Sequence, residues 1–157
     1  MIISVTYELL LRIVSQITNS NYMDLVFTGT RRYEFGRSEF LTSIVHLDNN
    51  QDIDIVFPVA EPYNQLQSII TAGGSGETVT SPFESHSESD YIGSSISGYI
   101  EIMGFNVNLI GRPVGDVEDW KFATRIMSHQ LWEHTSKLKY DRDYRIEVFK
   151  ALRKAND

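Results

Sequence analysis

Asp52-Ile53-Asp54-Ile55-Val56-Phe57 reads as a β-strand with two carboxylates on one face and an apolar face behind them. Side chains alternate along a strand, so Asp52 and Asp54 point the same way, about 7 Å apart along the backbone. Ile53, Ile55 and Phe57 point the other way and supply a core face. Two carboxylates brought to ~4 Å in a cleft repel by about 4 kcal/mol at the effective dielectric of a protein surface. A site that keeps both ionised therefore wants a cation. Oxygen-only ligands suit Mg²⁺, which uses one or two carboxylates plus substrate phosphates. A D-x-D also arises on solvent-facing strands with no such role, so the flanking sequence decides.

The bulk numbers narrow the field. A chain of 157 residues is enough for one domain with a real core, and the reading is a single domain over 1–157. Hydrophobic residues make up 41% and charged residues 22%, an ordinary globular composition. The formal net charge of −7 argues against non-specific attraction to nucleic acid or anionic membrane. With no cysteine, disulfides, thiolate metal sites and cysteine nucleophiles are excluded. Met1-Ile2-Ile3-Ser4 lacks the basic start of a signal peptide, and no apolar run approaches ~18 residues. The expectation is a cytoplasmic protein with no membrane partner.

Ahead of the Asp52 strand, residues 4–18 read as a helix, with Ile3, Tyr7, Leu10, Leu11, Val14 and Ile17 at three- and four-residue intervals. Asn19-Ser20-Asn21 stops it. Residues 25–28 follow as a short buried strand, left through Gly29-Thr30-Arg31-Arg32. Glycine lets backbone approach a ligand, and the Thr30 hydroxyl, nearby N–H groups and two guanidiniums can cradle a phosphate. An ordinary turn with solvated arginines reads the same way. Residues 40–45 form a further candidate strand, with Asp48-Asn49-Asn50-Gln51 as the turn that would make it the antiparallel neighbour of 52–57.

Beyond the Asp52 strand, which Pro58 is expected to close, a helix should start near Glu61-Pro62 and run to about Thr71, burying Leu66, Ile69 and Ile70. Gly73-Gly74 opens a Ser/Gly/Thr-rich stretch to about residue 95 that has the composition of a flexible loop, a flap over the site or a plain insertion. His86 within it reads as solvated. Residues 97–103 and 106–110 alternate as a hairpin, with Gly104-Phe105 as a two-residue turn with glycine first. That register pairs Glu101 with Asn108 on one face, leaving Ile100, Ile102, Val107 and Leu109 on the other. Helices over about 117–131 and 141–155 complete the chain, the last carrying Arg142, Arg145, Lys150 and Arg153.

These pieces resemble the nucleotidyltransferase superfamily related to DNA polymerase beta, in particular its small single-domain members. The matching residues are Phe27-Thr28-Gly29-Thr30-Arg31-Arg32, Asp52-Ile53-Asp54-Ile55-Val56 and Phe105-Asn106-Val107-Asn108-Leu109-Ile110. The tail, with Trp120-Lys121-Phe122-Ala123-Thr124 and Asp141-Arg142-Asp143-Tyr144-Arg145, looks like the helical end of such proteins. The resemblance implies an α/β (α+β) fold: a mixed, largely antiparallel sheet flanked by helices, with a helical part over about 117–155. It implies a Mg²⁺-dependent transfer of a nucleotidyl group from an NTP to a hydroxyl on a protein, RNA or small molecule, with Mn²⁺ as a substitute ion. Asp52 and Asp54 would hold the metal, and Gly29, Thr30, Arg31 and Arg32 the phosphates. Two departures stand out. Thr30 and Asp52 are separated by 21 residues, roughly twice the family's usual gap, and the third acid of the pattern falls on Asn108. Glu101, as the expected partner of Asn108, is a candidate for the displaced acid or general base. The alternative is a fold that has lost its chemistry and serves as a nucleotide-binding or protein-interaction module.

Overall fold

The computed structural model describes residues 1–28, 42, 44–82, 92–114, 117, 141, 143–144, 147–148 and 150–151. Its first element is a strand, β1 (Ile2–Thr6), paired antiparallel with β3 (Ile44–Asp48) in a two-stranded sheet. The helix expected from residue 4 therefore starts later, as α1 (Tyr7–Thr18). Four β-branched residues in Ile2-Ile3-Ser4-Val5-Thr6 favour extended backbone, and Thr6 caps the helix by accepting the Leu9 N–H on its hydroxyl. The expected stripe survives, with Tyr7, Leu10, Leu11 and Val14 buried. Asn19 ends the helix in the left-handed conformation at φ 51°.

Among the described residues the main sheet has five strands, in the order β2 (Val26–Thr28), β4 (Ile53–Val59), β7 (Phe105–Pro113), β6 (Ile92–Ile102), β5 (Ser75–Pro82). Only β4 and β7 run parallel; the other neighbours are antiparallel. The expected α+β class, a mixed and largely antiparallel sheet with helices, is what forms. One pairing expectation changes. Strand β3 joins β1, not β4, and β4 takes β2 and β7 as its neighbours. Pro58 does not close β4 either: the strand continues to Val59, with Pro58 in register with Arg112. The turn after β3 forms as read, Asp48 accepting the Asn50 N–H.

One face of β4 carries Ile53, Ile55, Phe57 and Val59 into the main core. There they meet Leu10, Leu11 and Val14 of α1, Ile69 of α2 (Pro62–Thr71), and Ile96, Ile100, Ile102, Phe105, Val107 and Leu109 of the β6–β7 hairpin. Helix α2 begins where Glu61-Pro62 predicts, but its buried side is Gln65 and Ile69, while Ile70 is exposed. Gln65 is buried because it links four backbone groups. Its amide nitrogen donates to the carbonyls of Thr18 and Pro58, and its amide oxygen accepts the N–H groups of Ala60 and Glu61.

The stretch read as a loop from residue 73 to 95 instead contains β5 and the first part of β6. Its polar composition hides the strands because β5 is the sheet edge, where both faces tolerate Ser, Thr and Glu. Gly76 and Gly98 lie opposite each other, so close that a Cβ on Gly98 would come within 2.8 Å of the Ser75 carbonyl oxygen. His86 and the rest of 83–91 lie outside the described residues, as does most of 117–155.

The β6–β7 turn is Met103-Gly104, one residue earlier than expected, because Ile102 pairs with Phe105. Both turn residues have positive φ, 54° and 85°, as a type I′ turn requires. The register with Phe105 in the turn would leave that ring out of the core, whereas here it is fully buried. Burying a phenylalanine contributes about 1.5–3 kcal/mol, enough to offset the left-handed strain at Met103. Met103→Asn should therefore stabilise the protein by about 1 kcal/mol, since asparagine tolerates that conformation. Urea unfolding of the two proteins checks it. Among the described residues no helix is long and apolar enough to cross a membrane.

Candidate functional site

The face of β4 opposite the main core carries Asp52, Asp54 and Val56. Val56 is covered: with Val26 and Val117 it forms a second small cluster, packed by Ile110, Tyr144 and Val148. Those last contacts bring the C-terminal part of the chain onto the same face as the two carboxylates. From Val56 back toward residue 52 the same face turns from apolar to acidic.

Strand β7, parallel to β4, presents Asn106 and Asn108 to the acids. Asn108 lies in register with Asp54, and its amide nitrogen donates to Asp54 Oδ1 at 2.8 Å and reaches Asp52 Oδ2 at 3.5 Å. Asn106 donates to Asp52 Oδ1 at 3.0 Å. Asp54 is buried, only 6% exposed, whereas Asp52 is exposed. The amides thus do in part what a cation would do, setting positive N–H dipoles between and beside two like charges.

The row continues across the sheet. Tyr99 of β6 pairs with Asn108, and Ser75 of β5 pairs with Tyr99. On the other side Thr28 of β2 is in register with Asp54. A cavity of about 580 Å³ lies over this face, lined by Asp54, Asn108, Tyr99, Ser75, Glu77 and Ser97 among others. That volume is in the range of small-molecule and cofactor sites. Gly29, Thr30, Arg31 and Arg32, the expected phosphate cradle, follow Thr28 in the chain and lie outside the described residues.

Glu101 keeps the expected face but not the expected partner. The shifted turn sets it opposite Asn106, and Tyr99 takes the place beside Asn108. Glu101 therefore does not stand beside Asn108 as the cross-strand substitute for the third acid. Among the described residues no group of three or more histidine, aspartate or glutamate side chains comes together as a metal cluster. The donor set that remains, Asp52 and Asp54, is two oxygen-donor carboxylates, the kind of set that suits Mg²⁺ taking its other ligands from phosphates and water. It does not supply a second, acid-rich metal position.

Asn106, Tyr99, Ser75, Glu77 and Ser97 were not legible as site residues from the motif alone. Alternation along 97–110 does put Tyr99 and Asn106 on the Asn108 face, which is a usable signal. For Ser75 and Glu77 the sequence offers none, since it hides the strand that carries them. The chain matches no protein-family model, no curated protein and no solved structure.

Proposed function

We propose that the protein is a Mg²⁺-dependent nucleotidyltransferase, moving a nucleotidyl group from an NTP to a hydroxyl acceptor. The observation that carries this reading is the pair Asp52 and Asp54, bridged by Asn108, with Asp54 and Asn108 at the wall of a 580 Å³ cavity. Buried Asp54 and exposed Asp52 would hold Mg²⁺, which when bound would neutralise the triphosphate and the departing pyrophosphate. The acceptor oxygen would bond to the α-phosphorus while the bond to the bridging oxygen breaks. With asparagine at 108, the acceptor proton has to pass to Asp52 or to solvent. Asn108 then serves as a positioning residue that holds the two carboxylates in one orientation.

A second reading is favoured by the same 2.8 Å bond from Asn108 to Asp54. An amide here cannot accept a proton, so the site would bind Mg²⁺ and nucleotide without transfer. Turnover of α-labelled NTPs by the pure protein, in Mg²⁺ and in Mn²⁺, separates the two. Pyrophosphate together with labelled acceptor supports the transferase. Nucleotide-dependent stabilisation, about 2.7 kcal/mol at a hundredfold excess over Kd, without pyrophosphate supports the binding module. If the protein is the transferase, Asn108→Asp should raise its pyrophosphate release by about 10²-fold or more, the usual worth of a positioned general base.

A further inference from the structure

We infer that Tyr99 and Glu77 form the nucleobase pocket of this site and select guanine over uracil. The inference rests on the nucleotide reading above and adds to it the end of the ligand that the carboxylates do not touch.

Tyr99 is 57% exposed on the cavity wall, an unusual position for a large aromatic ring in the middle of a sheet. It stands in the row of Asp54 and Asn108, two strands away from Asp54, a separation of roughly 10 Å at the ordinary strand spacing. A ribose and its α-phosphate bridge a gap of that size, so phosphates held at Asp54 would leave the base over the phenol ring. Aromatic side chains beside a nucleotide act as stacking platforms, because every base offers a π-face.

Stacking alone does not discriminate between bases. Glu77 supplies the discrimination. It lies on the same face, two register positions along from Tyr99: Ser75 pairs with Tyr99, and Glu77 with Ser97. Diagonal neighbours on one sheet face stay within reach of long side chains. Both residues line the cavity and both are exposed to it. A carboxylate accepts hydrogen bonds and donates none when ionised. Guanine offers it two adjacent donors, the ring N1–H and the exocyclic amine. Uracil instead flanks its single N–H with carbonyl oxygens, which a carboxylate repels. The negative charge of Glu77 would also set the ligand's direction, since β5 is the strand farthest from β4 on that side and a triphosphate would be repelled toward a cation held by Asp54.

The test is calorimetric titration of Mg-GTP and Mg-UTP into the wild-type protein, Tyr99→Leu, Glu77→Gln and Asp54→Asn, with each variant's melting curve recorded. Both substituted side chains in the pocket are exposed, so the variants should fold. The expected result is tighter binding of GTP than UTP by the wild type. Tyr99→Leu should weaken both by about 5- to 150-fold, the equivalent of losing one stacked base. Glu77→Gln should collapse the GTP preference and leave UTP nearly unchanged. If Mg²⁺-dependent binding is lost in Asp54→Asn but untouched by Tyr99→Leu, or if GTP and UTP bind alike to the wild type, the base pocket is overturned and the nucleotide reading stands. If neither nucleotide binds the wild type in Mg²⁺, both fall together.

Discussion

Gln65→Leu is expected to cost about 3–5 kcal/mol of stability, a large share of what a domain of this size has in total. The side chain is 2% exposed and makes four hydrogen bonds of 2.9–3.0 Å. Its partners come from three places: the end of α1 at Thr18, the end of β4 at Pro58, and the start of α2 at Ala60 and Glu61. Leucine fits the volume but leaves two N–H groups and two carbonyls without their partner, each worth about 1–3 kcal/mol where water cannot reach. Not all four lose everything, because Ala60 and Glu61 are exposed residues and their N–H groups can turn to water. The melting temperature should fall by roughly 10 °C, at 2–4 °C per kcal/mol for a chain of this length. Since the Pro58 carbonyl lies within β4, the loss should also loosen the strand that leads back to Asp54 and Asp52. A variant that melts within a degree or two of the wild type would show that these bonds add little to what the apolar core already provides.

The β4 strand was legible because its alternation is simple: acids on one side, Ile53, Ile55 and Phe57 on the other. Helix α2 was legible for its proline at the start, but not its face. Gln65 looks like a surface residue in sequence, and only the close approach of α1 and β4 makes it a core one. Strand β1 was masked by a helical stripe that extends back to Ile3, whereas the pairing with β3 decides the matter. The hairpin register depended on whether Phe105 or Met103 occupies the turn. A local rule that puts glycine first chose wrongly, because the burial of Phe105 outweighs a strained methionine. Even so, the faces survived. The change moves each cross-strand pair by two positions in sum, so Glu101 and Asn108 remain on one side and only their partnership is broken.

The candidate site shows the same division. Asp52, Asp54 and Asn108 could be placed on one face from period alone, and the structure joins them by hydrogen bonds. The cavity could not be foreseen, since half its wall is the edge hairpin β5–β6, a Ser/Gly/Thr sequence without an apolar pattern. Asn106 is the informative surprise. Two asparagines, not one, face two aspartates across the parallel pair β4–β7. Such an arrangement gives both acids hydrogen-bond donors on the neighbouring strand, where a third carboxylate would add a like charge.

The largest functional effect is expected at Asp54. It is the buried member of the pair and the one that lines the cavity, so its charge is the least screened by water. Asp54→Asn keeps the shape and can still accept the Asn108 amide on its own carbonyl oxygen. The fold should therefore remain intact, with apo stability unchanged or slightly raised by relief of the repulsion from Asp52. Binding should suffer far more. Removing one of two charged ligands from a Mg²⁺ position should weaken Mg²⁺-dependent nucleotide binding by more than about 100-fold, beyond the 10–100-fold typical of an outer-shell change. The decisive measurement is the titration of an NTP into wild type and Asp54→Asn, each with Mg²⁺ and with EDTA. Binding is expected only in the wild type with Mg²⁺, and is expected to be lost on chelation. Equal binding by the two proteins, or binding indifferent to Mg²⁺, would contradict this and leave the D-x-D an acidic strand face held together by its asparagines.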